Sequence, residues 1–168
     1  MARAERNTGA RSEEKTAEGK DSLRLWLRLL TCSTMIERKV RTRLRNEFDA
    51  TLPRFDMMAA LDRAPDGLSM GELSRRLMVS NGNVTGVADR LAREGLVKRW
   101  SPPADRRSSR LALTARGRKE FSGMAKAHQG WIEEMMAGLN TAERDALIAL
   151  LARVKLSIGS KDEGRDAA

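Results

Sequence analysis

Apolar residues recur along most of this chain at helical spacing. Leu23, Leu27 and Leu30 open a stripe that continues through Val40, Leu44 and Phe48, which predicts a long amphipathic helix over 21–48. "TLPRFDMMAAL" follows, with Pro53 where a helix can start and Phe55, Met58 and Leu61 one turn apart. "DRAPDG" is a turn. In "SMGEL", Ser69 and Glu72 have capping-box spacing, and the short helix behind them turns Leu73 and Leu77 inward. "VSNGN" breaks that helix. Ser80 or Asn81 caps the next one, which Gly95 ends. Two short β-like runs, "LVKRW" and "RLALT", flank a loop containing Pro102 and Pro103. Thr114 caps a long helix with Phe121, Met124, His128, Ile132, Met135 and Leu139 on one stripe. Asn140 and Glu143 open a last helix with Leu147, Leu150, Leu151, Val154 and Ile158 on one side.

The order is four helices, a hairpin and two helices. A short capped helix, a tight turn, a second helix and a basic hairpin make a winged helix-turn-helix; an ordinary bundle with an incidental hairpin is the plainer alternative. The fold class is therefore mainly α, a winged helix-turn-helix with long helices at both ends. In "SNGNVTGVADRLAREG", Val84, Val87, Ala88 and Leu91 share one helix face. The opposite face carries Gly82 and Gly86, with Asn83, Thr85 and Arg90 beside them. Glycine inside a helix costs about 1 kcal/mol relative to alanine. Two outward glycines suit a backbone that sits close to the floor of a major groove. There Asn83 and Thr85 reach base edges, while Ser80 and Asn81 bond phosphates at the helix N-terminus. The plainer account makes Gly82 part of the turn and Gly86 a tolerated defect. Asp89 is suited to pairing with Arg93 one turn on, or with an arginine of the wing, and not to DNA.

Charge sharpens this picture. The net charge is +9, and between Val97 and Lys119 eight basic residues stand against Asp105 alone. Such focused charge fits a polyanion partner. The charged terminal stretches, 1–20 and 159–168, read as a disordered arm and tail, leaving one domain over 21–158. One cysteine, Cys32, permits no internal disulfide and fits a reducing cytoplasm. The chain has no apolar run of membrane-spanning length and no apolar leader, so no membrane partner is expected.

Asp105-x-Arg107-x-x-x-Leu111-x-Leu113-Thr114 resembles the wing motif of the MarR (multiple antibiotic resistance regulator) family, and "GLVKR", "VADRLAREG" and "LTARG" fit the same pattern. The resemblance implies a homodimeric winged-helix repressor on a pseudo-palindromic operator in double-stranded DNA. Dimerisation helices would occupy 21–48 and 115–158, and the DNA-binding lobe 52–114. Arg107 would take the place of the wing-tip arginine that enters the minor groove, and Asp105 would hold it; Lys98, Arg106 and Arg110 would serve phosphates. Arg54 stands where many members have glutamine or proline.

Members of the family release DNA when something binds or oxidises them. A redox switch at Cys32 is one alternative, although the chain has no tyrosine to hold such a thiol, and a lone helical cysteine is more often core filling. One histidine and one cysteine make a poor zinc site, and no metal or other cofactor is expected. A small organic effector remains, an aromatic acid or its coenzyme A thioester by likeness of the "GNVTG" helix to aromatic-acid regulators. Candidate wall residues are Trp26, Arg38, Phe55, Met58 and His128, although residues of the kind of Phe55, Met58 and His128 on apolar stripes are more often core than ligand contacts. A protein-interaction module is a further alternative to DNA binding. With no paired carboxylates, nucleophile elbow or phosphate loop, the chain does not read as an enzyme.

Overall fold

The computed structural model describes residues 2–101 and 109–162. In order they form α1 (Ala2–Phe48), α2 (Leu52–Asp62), β1 (Leu68–Ser69), α3 (Met70–Leu77), α4 (Asn81–Arg93), β2 (Val97–Trp100), β3 (Arg110–Leu113), α5 (Ala115–Met135) and α6 (Thr141–Asp162). The chain divides into two compact units, the second beginning at His128 within α5.

Each expected helix is present. α1 begins at Ala2, so the stretch expected as a disordered arm continues into the first helix. Alanine, glutamate, arginine and lysine are strong helix formers, and adding turns to an existing helix avoids the cost of nucleation. Likewise α6 runs to Asp162, past the expected boundary at 158. Asp49 ends α1 in the left-handed conformation (φ 47°), which lets the Ala50 N–H bond the Leu44 carbonyl.

The first unit holds the winged lobe. Its sheet is antiparallel in the order β1-β3-β2, with Leu68 opposite Leu111 and Val97 opposite Leu113. The two-residue strand β1 is too short to show alternation in the sequence. Met58, Leu61, Leu73, Val84, Ala88, Leu91, Leu111 and Leu113 are almost wholly buried. Phe55 packs on Phe121 with ring centroids 5.6 Å apart, joining α2 to α5. Each such side chain contributes about 1.5–3 kcal/mol, so this small core holds the lobe together.

Local chemistry closes the elements as their sequences suggest. Ser69 and Glu72 bond reciprocally at 2.7 and 3.2 Å. Thr114 accepts from the Gly117 N–H at 3.0 Å and donates to the Gly95 carbonyl at 2.8 Å. Two glycines are required by close approach. A Cβ on Gly117 would lie 2.0 Å from the Leu96 carbonyl oxygen, where α5 crosses the chain entering β2. One on Gly67 (φ +75°) would lie 2.4 Å from the Trp100 ring.

In the second unit, Trp131 is buried and meets His128 edge-on, centroids 6.3 Å apart. Asn140 and Glu143 bond reciprocally at 2.8 and 3.0 Å before α6. No described helix is long and apolar enough to cross a membrane.

Candidate nucleic-acid interface

The expected reading face is built by α4. Val84, Ala88 and Leu91 turn into the core, and Val87 is half-buried. The opposite face therefore points to solvent: Gly82, Asn83, Thr85, Gly86 and Arg90 are all exposed. Nothing lies within 4 Å of where a Cβ would stand on Gly82 or Gly86, so neither glycine is demanded by packing. Ser80 is the N-cap of α4, yet its hydroxyl makes no capping bond. Asn81 is the first residue of the helix. The first N–H groups of any helix lack intrahelical partners and present a partial positive charge.

The wing root lies beside α4. Asp89 accepts from the Arg99 guanidinium at 2.9 Å, tying the outer face of α4 to β2. This is the second of the two pairings expected for Asp89. Arg93 meets the backbone carbonyl of Asp89 rather than its carboxylate. Lys98 is exposed, with its ammonium 5.5 Å from the Trp100 ring centre. Asp105, Arg106 and Arg107, the expected wing tip, lie outside the described residues.

Arg110, expected to serve a phosphate, has partners within the fold. It donates to the Gly67 carbonyl at 2.8 Å and the Asp66 carbonyl at 3.3 Å, and stands 3.8 Å from Glu72. Residue 110 pairs with Ser69 across the β1-β3 ladder, so its side chain reaches the turn before β1 and satisfies carbonyls there. Hydrogen bonds from Ser69, with help from Arg110, hold the Glu72 carboxyl below its ordinary range.

Arg54 carries more than its sequence suggested. Largely buried, it bonds Glu94 at the end of α4 and Glu120 on α5, the latter at 2.6 Å. One side chain thus joins α2, α4 and α5. Its position in the first turn of α2, where the helix dipole disfavours a cation, was the available signal. Beside it a cleft of about 300 Å³ opens between the end of α1, the start of α2 and α4, lined by Arg45, Asp49, Arg54, Arg90 and Glu94 among others.

The five expected effector-wall residues have different settings within their own units. Met58 and Phe55 are core residues. Trp26 and Arg38 are exposed on α1, twelve residues apart and so about 18 Å along the helix axis. His128 belongs to the second unit, half-buried, and burial pushes its imidazole below the ordinary range. Cys32 is exposed, contrary to the core-filling expectation, on a stretch of α1 where Leu23, Leu27, Leu30 and Met35 are exposed as well. Asp56 is raised by burial and by Glu37, with Arg41 opposing. Among the described residues no group of three histidine, cysteine, aspartate or glutamate side chains could hold a metal ion.

Comparison with known proteins agrees with this geometry. Residues 48–108 match the family model described as "MarR family". A MarR family transcriptional regulator from Silicibacter pomeroyi is 33% identical and superimposes with a TM-score of 0.71, over 84% of this chain and 97% of that one. A mutant MarR from E. coli in complex with operator DNA is 25% identical with a TM-score of 0.68, over 77% and 92%. The transcriptional activatory protein BadR of Rhodopseudomonas palustris is 35% identical over 61% of this chain and 59% of its own length. The chain spans about three-fifths of the length of the curated relatives it matches.

Proposed function

The chain belongs to the MarR family, and from that premise we propose that it is a transcription regulator that binds double-stranded DNA as a homodimer and answers to a small anionic effector. The observation that carries the reading is the outer face of α4. Two glycines open its surface, exposed Asn83 and Thr85 flank them, and the Asp89–Arg99 pair fixes that face against a basic strand. Asn83 and Thr85 read base edges in the major groove. Ser80, Asn81, Arg90, Lys98 and Arg106 hold phosphates. Arg107 enters the minor groove, held by Asp105. Arg110 braces the wing rather than touching DNA.

The homodimer is supported by α1 and α6, which leave Leu27, Leu30, Leu147 and Leu151 between 40% and 46% exposed. A two-fold dimer places two α4 helices on a pseudo-palindromic site. The action is repression or activation, according to where the operator lies relative to the promoter.

The effector is an anion, an aromatic acid that offers its carboxylate or the coenzyme A thioester of that acid, which offers phosphates. The cleft beside Arg54 suits it better than the wall first expected. A carboxylate there meets Arg45, Arg54 and Arg90, and by competing with Glu94 for Arg54 it loosens the end of α4. A second reading, oxidation at Cys32, is favoured by the exposure of that thiol alone.

Asn83→Ala and Arg106→Ala test the division of labour on DNA. The first removes roughly 1–3 kcal/mol of discrimination at one base pair per half-site. The second weakens all sequences alike and lowers the salt slope by about 1 for each half-site. Identical sequence profiles for the two variants would refute the assignment.

A further inference from the structure

The turn between α3 and α4 presents a side chain that the fold does not need. Met78 is 93% exposed, while the core beside it contains leucines and methionines with no exposure at all. It also adopts the left-handed backbone (φ 52°, ψ 39°), a conformation in which glycine or asparagine sits with less strain. A large apolar residue is therefore held where neither packing nor backbone preference favours it.

The turn holds it firmly. The Met78 N–H bonds back to α3 carbonyls, the Val79 N–H donates to Ser74 at 3.2 Å, and the Ser74 hydroxyl donates to the Val79 carbonyl at 2.5 Å. Such cross-ties fix the direction of the Cα–Cβ bond. The surroundings are cationic and partly unspent. Arg75 and Arg76 precede it on the exposed side of α3, and the uncapped Ser80 hydroxyl follows two residues later at the start of α4.

We propose that Met78 is a base-reading residue whose thioether packs on the C5 methyl of a thymine at the edge of each half-site. This rests on the DNA-binding reading of α4. The chemistry of the duplex fits the arrangement. A phosphate and a thymine methyl lie close together along the wall of the major groove, and the methyl is the one apolar group a base pair shows there. A residue just ahead of a helix N-terminus that takes a phosphate meets that wall. A flexible, polarizable thioether suits a shallow methyl contact. The exposure of Met78 in the free chain is then the surface DNA covers.

The experiment uses the full-length chain and the duplex it selects from a randomised pool. Affinities for wild type, Met78→Gly and Met78→Asn are measured on that duplex and on copies in which single thymines are replaced by deoxyuridine, which lacks the methyl. Both variants suit the left-handed turn, so both fold and melt at or above the wild-type temperature. Each binds about a hundredfold more weakly, about tenfold for each of the two methionines that a dimer places on the duplex. At one position per half-site, deoxyuridine weakens wild type by about fourfold, while neither variant responds to it. Wild-type affinity in both variants, or equal losses on methyl removal in all three proteins, overturns the proposal and leaves the role of α4 standing. Failure of wild type to select or bind any duplex overturns the DNA-binding reading and this inference with it.

Discussion

The winged lobe and the terminal helices use leucine in opposite ways. In the lobe, Leu61, Leu73, Leu91, Leu111 and Leu113 are no more than 1% exposed. On α1 and α6, Leu25, Leu30, Leu150 and Leu156 are between 46% and 74% exposed. The same side chain serves two assemblies. The lobe completes its core within one chain, as a unit must if it is to present a rigid reading face. The terminal helices carry apolar stripes that the chain by itself leaves in water, and stripes of that size mark a surface for another protein. A second copy covers both in the proposed dimer.

The largest effect expected from this contrast is on assembly. Leu151→Asp places a charge on the exposed α6 stripe and should yield monomers or insoluble chain. Sedimentation velocity reads the outcome, and a soluble dimer of wild-type tightness would place the interface elsewhere. Next comes the lobe. Leu91→Ala, at a site with 1% exposure, should cost roughly 2–5 kcal/mol in chemical unfolding. Dimer dissociation should change little. Equal damage to both would mean that lobe and interface form one cooperative core.

The smallest effect is a pH dependence confined to the lobe. The folded chain holds Glu72 ionised to lower pH than the unfolded chain does. The stability this adds is fully present above the ordinary glutamate range and is lost as pH falls through the lowered value. Glu72→Gln should lower stability at neutral pH by well under 2 kcal/mol, the upper range for a lost cap, and should flatten the acid limb of stability against pH. An unchanged acid limb would show that the Ser69–Glu72 box does not set it.

Much of this was legible in the sequence, and the reasons differ by region. Helices repeat every 3.6 residues, so α2 to α6 showed themselves through their stripes, and caps such as Ser69 and Asn140 marked their starts. The inward and outward faces of α4 followed from the same periodicity. β1 was missed because two residues carry no period. The bonds of Arg110 and Arg54 are not legible in the sequence because their partners lie 40 to 66 residues away in the chain. A long-range pairing of this kind leaves no local pattern. Phe55 and Met58 look alike as core or as pocket in the sequence, and only packing shows that both are buried. Cys32 was assigned to the core by residue type, whereas the buried positions of α1 are Val40 and Leu44, two and three turns further on.

The central claim is that two self-sufficient lobes, joined through terminal helices, read one duplex. Sedimentation of the wild-type chain with its selected duplex, repeated across a range of salt concentrations, tests it most directly. Two chains should bind per duplex, and log K should fall linearly with log salt as phosphate-bound counterions are released. One chain per duplex, or an affinity indifferent to salt, would contradict the account.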